Sequence, residues 1–143
     1  MKLAALTLSI LLFALALWPP SASNHAQQKP EELAQKSAEA WLALTDSGKF
    51  GESWDQAAST FKGAVSRDQW ISQLTSVRTP LGTAESRKLA GAQAKSNPPN
   101  APAGEYVVLQ FSTAFENRKD STETVAMFLD KDSKWRTAGY FIK

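Results

Sequence analysis

Residues 105–142, EYVVLQFSTAFENRKDSTETVAMFLDKDSKWRTAGYFI, decide the fold. Three runs within it, Glu105–Phe115, Ser121–Leu129 and Lys134–Ile142, alternate apolar and polar side chains and are rich in Val, Phe, Tyr and Thr. A period of two in such residues predicts strands. The polar stretches between them, Glu116–Asp120 and Asp130–Ser133, have the length of hairpin loops. Three consecutive antiparallel strands follow. If Asp130–Ser133 closes the second hairpin, Leu129 opposes Lys134, Met127 opposes Arg136, Val125 opposes Ala138 and Glu123 opposes Tyr140. One face then carries Val125, Met127, Leu129, Ala138, Tyr140 and Ile142, with Val107, Leu109 and Phe111 beside them. The other carries Thr124, Ala126, Phe128, Trp135, Thr137, Gly139 and Phe141. A slip of one residue would exchange the faces.

Upstream, Lys95–Gly104 holds Pro98, Pro99 and Pro102 and reads as a loop. Thr83–Ala94 reads as a further strand with Thr83, Glu85, Arg87 and Leu89 on one side. Before Gly82 the period changes. Pro30-Glu31-Glu32 opens a helix, with Pro tolerated in the first turn and carboxylates at the positive end of the dipole. Leu33, Ser37/Ala38, Ala40/Trp41 and Leu44 recur at helical spacing until Asp46-Ser47-Gly48. A second short helix is expected over Phe50–Thr60, with Trp54, Ala57/Ala58 and Phe61 on one face. Ser66 and Gln69 form a capping box for a third, whose stripe is Trp70, Leu74 and Val77 and which Pro80-Leu81-Gly82 ends. Helices first and a meander second predict an α+β fold: three N-terminal helices packed on one face of a four-stranded antiparallel meander.

Lys2, the apolar run Leu3–Trp18, Pro19-Pro20 and the small residues Ser21-Ala22-Ser23 have the plan of a secretory signal peptide. Residues 1–23 are read as that signal, with cleavage after Ser23 or Ala26, residues 24–29 as a linker and 30–143 as a single domain. The apolar run is 16 residues, short of the roughly 20 that span a bilayer, so no stable membrane span is expected after cleavage. An uncleaved N-terminal anchor is the alternative. The chain has no Cys, which excludes a cysteine-linked lipid anchor and leaves packing alone to hold the domain. Export without disulfides points to a bacterial periplasm. Sixteen Lys and Arg against 14 Asp and Glu give a net charge of +2, scattered along the chain. Nucleic-acid binding needs clustered cations, so that class is set aside.

Catalytic groups are scarce. His25 is the one histidine and falls at the signal or linker, so neither a transition-metal site nor a Ser-His-Asp arrangement is supplied. Asp130-Lys131-Asp132 lacks the glycine and glutamate that would follow in a calcium loop. Glycines are single and no Gly-x-Ser-x-Gly occurs. No metal, cofactor or catalytic residue is therefore assigned, and an enzyme is the less favoured reading. The most concentrated polar constellation is Arg78, Arg87, Glu123, Arg136 and Tyr140. In the register above, Glu123, Arg136 and Tyr140 share the apolar face. A carboxylate there needs a partner. Two readings stay open: a pocket where arginines fix an anionic ligand, or a buried ion pair that sets register. Trp41, Trp54 and Trp70 fall at core spacing, their N–H groups requiring acceptors. Phe128, Trp135 and Phe141 fall on the other face, either as a partner surface or as a patch covered by the 95–104 loop.

Ala40-Trp41, Ser53-Trp54, Arg78 with Pro80-Leu81-Gly82, Arg87-Lys88, Gly104-Glu105-Tyr106-Val107, Glu123-Thr124-Val125 and the closing Trp135-Arg136 and Gly139-Tyr140-Phe141-Ile142-Lys143 resemble an uncharacterised bacterial family, domain of unknown function 4019. The likeness runs from about Leu33 to Lys143 and implies no activity. The order of elements is also similar to the cystatin-like or NTF2-like roll, whose members include enzymes, binding domains and dimerisation modules. The expectation for function is an exported, non-enzymatic binding or interaction domain of the bacterial envelope. It would self-associate or dock an envelope protein through Phe128, Trp135 and Phe141. The alternative is a small-molecule-binding roll, enzymatic or not, built on the Arg/Glu/Tyr cluster.

Overall fold

The computed structural model, described for residues 27–143, places four helices ahead of four strands. The signal-peptide reading, both cleavage positions and His25 lie outside the described residues. Helix α1, Pro30–Asp46, starts and stops where its proline, acidic first turn and Gly48 predict, Gly48 taking a φ of +71°. The expected second helix is two: α2, Phe50–Asp55, and α3, Ser59–Ala64. The break has a physical cause. Ala57 and Ala58 are fully buried, and the Ala58 N–H leaves the helical ladder to donate to the Thr137 carbonyl at 2.8 Å. Helix α4, Arg67–Leu81, carries the Ser66/Gln69 capping box and ends at Gly82 (φ +74°). Pro80 sits inside its last turn, and the helix ends within Pro80-Leu81-Gly82 as expected.

The strands are β1, Ala84–Ser96, β2, Glu105–Phe115, β3, Arg118–Leu129, and β4, Trp135–Ile142, hydrogen-bonded in the order β1-β2-β3-β4, all antiparallel. The β2–β3 loop is only Glu116 and Asn117, shorter than the expected five residues, because Arg118 pairs with Phe115. Val107 and Leu109 lie opposite Met127 and Val125 as expected. With Phe111 they form the floor on which Ala34, Ala38, Trp41 and Leu42 of α1 and Trp70 and Leu74 of α4 pack. All three core tryptophans find acceptors: Trp41 on the Ser53 carbonyl, Trp54 on the Val65 carbonyl and Trp70 on Ser53 Oγ. The fold is α+β with the helices on one side of the meander.

The β3–β4 register departs from the expected one. Leu129 pairs with Trp135, Phe128 with Arg136 and Met127 with Thr137. After an irregularity at Ala138, Ala126 pairs with Gly139, Val125 with Tyr140, Thr124 with Phe141 and Glu123 with Ile142. A β-bulge of this kind inserts one residue and reverses the alternation beyond it. Trp135 and Thr137 therefore join Tyr140 on the helix-facing side, which strict alternation forbids. The bulge lies next to the Thr137 carbonyl that Ala58 engages.

This splits the expected aromatic face. Trp135 packs against the main core, and Arg136 turns to the outer side opposite Phe128. Phe128 is buried with Tyr106, their rings 5.0 Å apart, and the Tyr106 hydroxyl donates to the Pro102 carbonyl at 2.9 Å. Phe141 alone stays open, 64% exposed. The covering loop is tight: Gly104 has φ +148°, and a Cβ there would stand 2.5 Å from Phe128 Cε2. Gly104→Ala is expected to cost about 1–3 kcal/mol from strain and overpacking. Denaturant unfolding measures it, and an unchanged midpoint would mean that the loop does not press on Phe128.

Candidate functional site

Four charged side chains from four elements meet between the helices and the sheet: Asp46 from the last turn of α1, Arg78 from the last turn of α4, Arg87 from β1 and Glu123 from β3. Arg87 is the bridge. Its Nε donates to Glu123 Oε1 at 2.7 Å, and its Nη1 and Nη2 fork onto Asp46 at 2.7 and 2.9 Å. Arg78 donates from Nη2 to Asp46 at 2.9 Å and from Nη1 to Thr45 Oγ1 at 2.9 Å, and its guanidinium lies 5.0 Å from the Phe115 ring centroid. Glu123 is fully buried; Thr113 Oγ1 donates to Oε1 at 2.6 Å and the Tyr140 hydroxyl donates to Oε2. Tyr140 reaches Glu123 diagonally, from its position opposite Val125.

Of the five residues singled out from the sequence, Arg78, Arg87, Glu123 and Tyr140 meet here and Arg136 does not. Arg136 is forked onto Asp132 at 2.6 and 2.7 Å, with Asp130 at 3.8 Å, on the β3–β4 hairpin. Asp46, Thr45 and Thr113 are the members that sequence reasoning missed. A signal for Asp46 existed: an acidic residue in the last turn of a helix faces the negative end of the dipole and calls for a cation.

Two arginines and two acidic residues neutralise one another, each carboxylate accepting from at least one guanidinium. Burial would raise the Asp46 carboxyl, but the hydrogen bonds and charges of Arg87 and Arg78 outweigh it and hold the group below its ordinary value. Burial likewise opposes the charge on Arg87, and Asp46 and Glu123 override it so that its proton is held more tightly. Tyr140 is pushed well above its ordinary value by burial first and by the Glu123 charge second, so it stays a neutral donor. The arrangement fills its own space. Its outer edge borders a shallow depression of about 250 Å³ lined by Thr45, Asp46, Arg78 and Glu116 among others. No general acid or base is free in the quartet to face a substrate.

The large opening lies elsewhere. A cleft of about 700 Å³ separates α1 from the α2–α3 corner and the β3–β4 hairpin, with Trp41, Met127, Trp135 and Thr137 among its lining. The hairpin bank is tied to the α3 bank by Asp130, whose carboxylate accepts from the Ser59 N–H at 2.9 Å and from Ser59 Oγ at 2.8 Å. Asp130 is held below its usual value chiefly by that Ser59 N–H, with Lys131 N–H and Arg136 adding to it. Asp132 is drawn down to about 2 by the hydrogen bonds from Arg136. Among the described residues no three His, Cys, Asp or Glu side chains are grouped to hold a metal ion, and no helix is long and apolar enough to cross a membrane.

The family model described as Protein of unknown function (DUF4019) matches residues 37–140, well over half the chain. The chain is a DUF4019 protein. The matched span takes in all four members of the quartet and most of the cleft lining, leaving out Leu33 and Lys36 at the start of α1. No curated protein matches this DUF4019 chain.

Breaking one partner of a buried ion pair leaves the other uncompensated, at a cost of roughly 3–5 kcal/mol. Glu123→Gln in this DUF4019 protein is expected to lose about that much stability while keeping its secondary structure. Thermal unfolding followed by circular dichroism checks it, and a midpoint unmoved by the substitution would mean that the quartet does not tie the layers together. The pH dependence has a definite sign. Asp46 and Asp130 titrate lower in the folded chain. Their stabilisation is present above the unfolded carboxyl value of about 4 and is lost as pH falls through the folded values. Tyr140 titrates higher, so its stabilisation is present below about pH 10 and lost above it. Tyr140→Phe should make the alkaline limb of a stability–pH curve shallower; an identical limb contradicts the assignment.

Proposed function

We propose that this protein is an exported, non-enzymatic binding domain of the bacterial envelope, and that its binding surface is the cleft between α1 and the β3–β4 hairpin. The observation that carries the reading is the contrast between the two polar regions. The Asp46/Arg78/Arg87/Glu123 quartet is closed on itself and neutral, whereas the cleft is open, of the volume that drug-sized ligands occupy, and lined by tryptophan beside cationic side chains. Export rests on the signal-like start of the sequence, and the periplasm on export without cysteine. The absence of catalysis rests on the lack of any free acid–base pair in the quartet. Self-association through Phe128, Trp135 and Phe141 loses its motive, since these residues do not share a surface. The pocket reading of Glu123 and Tyr140 loses its space to Arg87 and Thr113.

The test is affinity purification from an envelope fraction, identifying both proteins and small molecules retained, with three baits: the natural chain, Trp135→Ala and Glu123→Gln. Retention is expected to fall at least tenfold with Trp135→Ala at unchanged secondary structure, and to survive in Glu123→Gln below its lowered unfolding temperature. Retention insensitive to Trp135, or lost with Glu123→Gln at natural stability, would return the function to the quartet.

A further inference from the structure

The cleft has a chemical bias. Two acidic residues line it, and both are spent: Asp55 is bound by Arg67 at 3.0 and 3.3 Å, and Asp130 by Ser59 and Arg136. Three lysines line it from three different banks, Lys36 on α1, Lys62 on α3 and Lys134 at the start of β4's approach. None has a carboxylate within 4.0 Å among the described residues. Lys62 is partly engaged, its ammonium donating to the Asp55 carbonyl at 3.1 Å and lying 5.8 Å from the Trp54 ring. The ammonium groups of Lys36 and Lys134 make no hydrogen bond to any described residue. Alongside these charges the lining includes the apolar side chains Leu33, Trp41, Met127 and Trp135.

We infer that the cleft takes an amphipathic organic anion: an apolar body of small-molecule size in contact with Trp135, bearing anionic groups met by Lys36 and Lys134. This deepens the reading of the cleft as the binding surface and rests on it. Volume separates this class from a bare inorganic anion, which would leave most of about 700 Å³ unfilled. Lysine ammonium groups are mobile point charges that select for charge and leave the shape of the acid loosely specified. The selectivity is therefore set by the apolar body together with the sign of the charge. An uncharged body of the same size would gain the burial and forgo the attraction, and raising salt weakens only the second contribution.

The experiment titrates the protein with 8-anilinonaphthalene-1-sulfonate by fluorescence, then displaces it with laurate, with dodecyl maltoside as the uncharged counterpart, and with the peptide Glu-Glu-Phe-Glu-Glu. The expected result is one saturable site, displaced by laurate at least tenfold more readily than by dodecyl maltoside. Binding should weaken about tenfold in Lys36→Gln/Lys134→Gln at an unchanged unfolding temperature, weaken about tenfold in Trp135→Ala measured well below its lowered unfolding temperature, and weaken with added salt. Dodecyl maltoside displacing as well as laurate, both requiring Trp135, overturns the anionic class while leaving the cleft as the site. The peptide displacing more readily than laurate overturns the small-molecule class in favour of an acidic segment. Binding indifferent to Trp135 and both lysines overturns this inference and the cleft reading together.

Discussion

The structure depends on one guanidinium. Arg87, on the edge strand β1, is held between Asp46 at the end of α1 and Glu123 in the middle of β3, so one planar fork ties the helical layer to the sheet. Arginine suits the position because its donors lie in a fixed plane and can serve two carboxyl groups at once. Such a buried cluster adds little to net stability compared with a well-packed apolar one, because its charges must first leave water. Its effect is on uniqueness. A one-residue slip of β3 would carry Glu123 to the outer face and leave the Arg87 Nε without its carboxylate partner.

A second constraint builds the cleft. The chain between α2 and α3 leaves helical geometry so that Ala58 can bond the Thr137 carbonyl, and β4 bulges one residue later at Ala138. Asp130 then fastens Ser59 to the hairpin. These contacts hold the α3 corner against the start of β4, and the gap between that corner and α1 is lined by both Trp41 and Trp135. Asp130 bonds back to Lys134, which sets Leu129 opposite Trp135, one residue on from the expected register, and turns Trp135 inward to line that gap. The closed quartet and the open cleft thus sit on the same face of the sheet and play opposite roles, one sealing the layers and the other leaving them apart.

Much of the fold was legible in the sequence because its signals are local. The proline and acidic start of α1, the Ser66/Gln69 box and the alternation in β2 each act within a few residues, and each element stands where it was expected. The convergence of Arg78, Arg87, Glu123 and Tyr140 was also legible, since a carboxylate on an apolar strand face must find a cation. What failed was whatever depends on distant contacts. The β4 bulge is coupled to Ala58, some 80 residues away in the chain, and no periodicity in Trp135–Ile142 announces it. With the hairpin register taken one residue short, Trp135 was placed outside and Arg136 inside, the reverse of their positions, and the unseen bulge hid that Trp135 and Tyr140 share a face. Asp46 was read as a helix stop, although its unfavourable place at the negative helix end pointed to a cation partner. The cleft itself is a gap between three segments distant in sequence and leaves no pattern in any one of them.

The central claim is that Asp46 and Glu123 act as one unit through Arg87. A double-mutant cycle on unfolding free energy, with Asp46→Asn, Glu123→Gln and the pair, tests it most directly. Shared dependence on Arg87 predicts a coupling energy of about 1 kcal/mol or more between two residues that do not touch. Single effects that add to within about 0.3–0.5 kcal/mol would contradict it, and would mean that the helical layer and the sheet are held by apolar packing alone.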